Sequence, residues 1–77
     1  MYIIIKYNYK TKIKDIYKYL FNCKWDATNF IRSKMTKEEI EKTENTQKRG
    51  LITENEFLTS ENNYKIIKLQ KYNFEME

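Results

Sequence analysis

The chain has 77 residues, with 15 Lys or Arg against 11 Asp or Glu, no His, no Pro, one Gly and one Cys. A domain of this length buries only ~60% of the surface that its unfolded chain exposes, which allows one modest core and excludes a second domain or a large substrate cleft. A single domain over residues 1–77 is expected, and a hydrophobic content of 40% with seven Tyr, four Phe and one Trp is enough for a folded core.

Cys23 has no partner for an internal disulfide, a bond that small secreted domains normally need, so an intracellular, cytoplasmic location in a host cell is expected. Structural zinc sites rely on Cys and His, so metal binding is set aside, and no motif calls for a cofactor. Lys (13), Ile (10), Asn (8) and Tyr (7) dominate the composition, Val is absent and Ala occurs once. The four abundant residues have codons made almost wholly of A and T, the signature of an AT-rich genome such as those of many phages and mobile elements.

In chain order, Tyr2–Tyr9 is β-branched and aromatic and places Ile3, Ile5, Tyr7 and Tyr9 on one face with Ile4 on the other, the period of a strand. Its apolar run is too short for a signal-peptide core or a membrane span, so no membrane association is expected. From Lys12 to Asn22 the residues Ile13, Ile16, Tyr17 and Leu20 follow the i, i+3, i+4, i+7 spacing of an amphipathic helix. A second short helix is expected with Asp26 as its cap, burying Ala27, Phe30, Ile31 and Met35 and turning Arg32 outward. Cys23 and Trp25 are expected in the core.

Thr36-Lys37-Glu38-Glu39 matches a capping box, so a third helix starts there and stops at Gly50, the only glycine. Ile40 is its one large aliphatic residue, which places it at the surface, with Glu38–Lys42, Lys37–Glu41 and Glu44–Lys48 as i, i+4 pairs. Leu51–Thr59 and Tyr64–Phe74 read as strands joined by the polar turn Ser60–Asn63. Tyr2, Tyr7, Tyr9, Tyr64, Tyr72 and Phe74 are expected to stack across the sheet or to present a partner surface. The predicted fold is α+β, in the order β-α-α-α-β-β, with an antiparallel sheet, helices on one face and the first helix packed across it.

Charge is unevenly distributed. Met1–Lys37 holds nine Lys or Arg and two Asp, whereas Glu38–Glu77 holds six Lys or Arg and nine Glu. On a helix starting near Lys12, Lys10, Lys14 and Lys18 recur every four residues and share one face, with Lys12 and Tyr19 close by. Arg32 and Lys34 extend this patch if the next helix lies alongside. Such a stripe suits an anionic partner, with Tyr17 or Tyr19 as a stacking group; the alternative is that an AT-rich genome simply places lysine on exposed faces and that Tyr17 is core. Glu38, Glu39, Glu41 and Glu44 read as a solvated face or as a docking surface for a basic partner.

Gln47-Lys48-Arg49-Gly50-Leu51-Ile52 followed by a hairpin resembles the junction between recognition helix and wing in winged-helix DNA-binding domains, over roughly Asp26–Leu69. The resemblance implies a helix in the major groove and a hairpin on the backbone, although the four Glu of that helix oppose phosphate contact. In length, AT-rich bias and lack of catalytic motifs the chain also resembles small phage-encoded anti-defence inhibitors, including anti-CRISPR proteins. That resemblance is compositional.

No His offers a general base, no Ser or Cys lies in a nucleophile motif, and no Gly-rich loop can cradle a phosphate. The expected function is thus a non-enzymatic intracellular binding protein. It would use Lys10, Lys12, Lys14, Lys18, Tyr19, Arg32 and Lys34 to occupy nucleic acid, or an acidic or nucleic-acid-binding surface of a host protein or nucleoprotein complex, and so inhibit it sterically. A winged-helix-type regulator and a self-assembling structural subunit are the alternatives.

Overall fold

A computed structural model describes residues 1–69. Strands β1 (Tyr2–Asn8) and β2 (Lys14–Ile16) are followed by helices α1 (Lys24–Arg32) and α2 (Lys37–Lys48), then by β3 (Glu56–Leu58) and β4 (Asn62–Lys68). The four strands form one antiparallel sheet in the order β2-β1-β4-β3. The α+β class and the antiparallel sheet match expectation, but the order is β-β-α-α-β-β, with two helices instead of three. Among the described residues, no helix is long and apolar enough to cross a membrane.

The difference lies at Lys12–Asn22, where a hairpin arm replaces the expected first helix. Asn8 turns the chain: its Oδ1 accepts from the backbone N–H groups of Lys10 and Thr11, and its carbonyl accepts from Lys12 N–H. Lys12 sits at φ +60°, a left-handed conformation incompatible with a helix start. The hairpin also gives the outer edge of β1 a partner. Residues 14–16 pair with residues 5–7, and flanking bonds run from Asn8 N–H to Ile13 O, from Tyr17 N–H to Ile4 O, and in both directions between Tyr2 and Phe21. A helix would have left that row of β1 groups without partners, so tertiary pairing overrides the helical spacing of Ile13, Ile16, Tyr17 and Leu20.

Helix α1 begins after Cys23, whose side chain makes no capping bond. Asp26, expected as the cap, lies instead in the first turn, where its charge favours the helix dipole. Ala27 and Ile31 are buried as expected, whereas Cys23 is exposed and Trp25 is 63% exposed. Both therefore lie outside the core: Trp25 is on the side of α1 away from Ala27, and Cys23 is the extended residue that precedes the helix.

Helix α2 has the full capping box: Thr36 Oγ1 accepts from Glu39 N–H and a Glu39 carboxylate oxygen accepts from Thr36 N–H. Gly50 at φ +74° follows the helix, as expected of the only glycine. This helix is anchored by a polar residue. Thr43 is 1% exposed, and its hydroxyl donates to Leu58 O and accepts from Leu58 N–H. Gln47 Nε2 donates to the carbonyls of Glu56 and Glu54. The outer edge of β3 is thereby closed by side chains of α2. The expected strand Leu51–Thr59 shortens to Glu56–Leu58, and the last strand starts at Asn62; its expected continuation through Tyr72 to Phe74 lies outside the described residues.

Register decides which face is the core. Ile4 pairs with Ile66, Lys6 with Tyr64 and Phe57 with Tyr64, so Ile4, Ile66, Tyr64 and Phe57 share one face and pack with Ala27 and Ile31. Burying a large aliphatic or aromatic side chain completely is worth ~1.5–3 kcal/mol, which makes Ile4 and Ile31, both at 0% exposure, principal sources of stability. Tyr17 stacks on Tyr64 at 6.3 Å and 16°, and Tyr2, Phe21, Phe30 and Met35 rim the core. Ile3, Ile5, Tyr7 and Ile67 take the opposite face and stay half-buried.

Candidate binding surface

Four of the basic residues singled out in the sequence, Lys10, Lys12, Lys14 and Lys18, lie on the edge arm of the sheet. Lys10 and Lys12 sit in the β1–β2 turn, Lys14 opens β2 and Lys18 follows it, all four exposed. Without the expected helix the every-four alignment disappears, and the lysines are strung along an extended arm. Lys34, just after α1, joins this arm from the core side: Ile16, Tyr17, Lys18, Tyr19, Phe30 and Lys34 line a shallow depression of about 540 Å³ beside β2.

Aromatic side chains give this depression its chemistry. Phe30 contacts Tyr17 (5.3 Å between centroids), Tyr19 (5.6 Å) and Phe21 (5.4 Å). The ammonium of Lys34 lies 4.9 Å from the Phe30 centroid and 5.8 Å from that of Tyr17, while that of Lys6 lies 5.9 Å from Tyr17. Cation–π attraction of this kind is worth ~0.5–1 kcal/mol at exposed sites, so the rings hold the charges in place without neutralising them. Tyr19 itself is 59% exposed, and Ile13, Ile16 and Leu20 elsewhere along the arm are 55–59% exposed.

Arg32 belongs elsewhere. Its guanidinium forms a 2.7 Å ion pair with Glu44, tying α1 to α2, so it does not extend the basic surface. This pair also replaces the expected Glu44–Lys48 contact; Lys24–Glu54 at 3.0 Å is the other ion pair among the described residues. Lys10, Lys12, Lys14, Lys18 and Lys34 have no ion-pair partner among those residues. Arg32, Lys24, Glu44 and Glu54 instead rim a groove of about 470 Å³ between the helices, floored by Ile40, Thr43 and Phe57 and flanked by Trp25.

Carboxylates elsewhere are held by structure. Glu39 is kept below the usual carboxylate value by the backbone N–H groups of Thr36 and Ser60, and Glu56 chiefly by the backbone N–H of Thr53. Burial, with Tyr17 close by, pushes the Tyr64 hydroxyl up to about 12.

The surface thus gathers Lys18, Tyr19 and Lys34, carries Lys10, Lys12 and Lys14 along the same arm, and leaves out Arg32. Sequence reasoning missed Lys6, Ile16 and Phe30 as neighbours. A signal was present: Lys14, Ile16 and Lys18 alternate at period two, and Asn8-Tyr9-Lys10-Thr11 has turn-forming chemistry. Comparisons with protein-family models, with curated proteins and with solved structures find no match, so the surface is read from its own geometry.

Proposed function

We propose that this chain is a binding module that acts by occupying an anionic surface of a partner, through the β1–β2 arm and the depression beside it. Occupation, not chemistry, is the mechanism: a host protein or nucleoprotein complex whose negatively charged surface is covered here is blocked sterically. The reading rests on one observation, five lysines without ion-pair partners among the described residues along and beside the β2 edge, with Lys18 and Lys34 next to the exposed Ile16 and Tyr19 and with Lys14 on the opposite sheet face. Lysines supply salt-dependent attraction and encounter rate, while Tyr and Ile supply contact area at low entropic cost.

The test is a titration of the purified protein with fluorescent oligo-dT and with poly-glutamate. Binding to at least one polyanion at low ionic strength (about 20 mM), weakening steeply as salt shortens the Debye length, is expected. The double variant Lys14→Glu, Lys18→Glu should abolish that binding with an unchanged circular dichroism spectrum. Binding unaffected by the double reversal, or no binding to either polyanion, would reject the surface.

A further inference from the structure

We propose that the outer edge of β2 accepts an extended, acidic segment of a partner protein as a fifth strand of the sheet. The inference deepens the reading above, on which it rests, by naming the kind of partner. It starts from the hydrogen-bond alternation of an antiparallel pair. Asn8 bonds to Ile13 and Ile4 to Tyr17, so Ile13, Asp15 and Tyr17 direct their backbone groups toward β1, whereas Lys14 and Ile16 direct theirs outward. No hydrogen bond reaches the N–H or C=O of Lys14 or Ile16 on that side among the described residues. The opposite edge of the sheet is closed, because Thr43 and Gln47 of α2 occupy the outward groups of β3. One edge is capped from within the fold and the other is left as a template.

Three features select the occupant. Outward N–H and C=O groups together are matched by another polypeptide strand, whereas a phosphodiester backbone offers only acceptors. Lys18 and Lys34 on the core side of this edge, Lys14 on its other face and Lys10 and Lys12 in the adjoining turn favour Asp and Glu on the incoming strand. The same lysines disfavour a second copy of this chain, since pairing β2 against β2 would bring them into register with one another, the usual protection of an edge against self-association. Ile16 on one side of the edge, and Tyr19 and Phe30 on the other, line the depression beside it, so alternate apolar residues of an added strand would find contact area.

The experiment uses the full chain, labelled for amide NMR, and three probes: a seven-residue peptide alternating Glu with Val or Ile, the same peptide N-methylated at alternate backbone nitrogens, and oligo-dT. The acidic peptide should bind, shift the Lys14 and Ile16 amides and slow their hydrogen exchange. N-methylation should weaken binding about tenfold, the effect of losing two backbone hydrogen bonds. Ile16→Pro, which deletes an outward donor at an edge position where proline is tolerated, should weaken it about fivefold. Failure of the peptide to bind, or equal binding of its N-methylated form, overturns strand addition. If oligo-dT alone binds, strand addition is overturned while the anionic-partner reading stands; if neither probe binds, both fall together.

Discussion

Replacing Thr43 by Val probes the least expected contact in the fold. The substitution keeps the β-branched shape and removes only the hydroxyl, which both donates to Leu58 O at 3.1 Å and accepts from Leu58 N–H at 3.0 Å. Two hydrogen bonds are lost at ~0.5–1.5 kcal/mol each, and the Leu58 backbone groups left without partners under α2 add a desolvation penalty, giving about 2–4 kcal/mol in all. For a chain of this length total stability is about 4–11 kcal/mol, so the loss is a large fraction of the whole. Thr43→Ser, which keeps the hydroxyl and deletes one methyl group, should cost only about 1 kcal/mol. Urea unfolding followed by circular dichroism measures both. Thr43→Val should also uncover the β3 edge, and concentration-dependent association by sedimentation is the accompanying expectation. If Thr43→Val proves as stable as Thr43→Ser, the hydroxyl does not hold α2 to the sheet and the reasoning fails.

Two further outcomes follow from particular residues. Lys12→Gly removes the side chain from a left-handed position, φ +60°, and should stabilise the fold by about 0.5–1 kcal/mol, with gain partly offset by the entropy of glycine in the unfolded chain; an unchanged urea midpoint would contradict the turn geometry. Glu39 and Glu56 have folded-state values depressed below 4.5, so the stability they contribute is present above that pH and is lost as the pH falls through the lower folded values. Thermal unfolding between pH 7 and 3 should therefore show an acid-side fall in Tm that Glu39→Gln makes shallower, and identical pH profiles for the two proteins would rule out Glu39 as a contributor.

The capping box at Thr36 and Glu39, the stop at Gly50 and the strand at Tyr2 were legible because each depends on neighbours within a few residues. The segment from Lys12 to Asn22 was not. Its apolar residues satisfy helical spacing, while its Lys14, Ile16, Lys18 alternation equally satisfies a strand, and local pattern alone does not choose between them. The choice depends on Tyr2–Asn8, whose outward backbone groups need a partner that a helix cannot supply. Trp25 is exposed for a related reason: side-chain hydrophobicity predicts burial on average, but the side of α1 that faces the sheet is fixed by Ala27 and Ile31, and Cys23 is exposed because it precedes the helix as its extended N-cap.

The candidate surface shows the same division. Composition alone concentrated positive charge in Met1–Lys37, and that asymmetry survives in the structure because charge is a property of the residues themselves. Which cations act together is a matter of three-dimensional placement. Arg32 lies two residues from Lys34, yet one meets Glu44 on α2 and the other lies over Phe30 beside β2.

Sequence by itself therefore determined the α+β class, the two ends of α2 and the sign of the charge. Only the tertiary structure decided that the basic segment is an open edge strand, that a buried threonine closes the other edge, and that Lys18, Tyr19 and Lys34 share one surface. Backbone hydrogen bonds must be satisfied across the whole sheet at once, and that requirement is not contained in any single stretch of the chain.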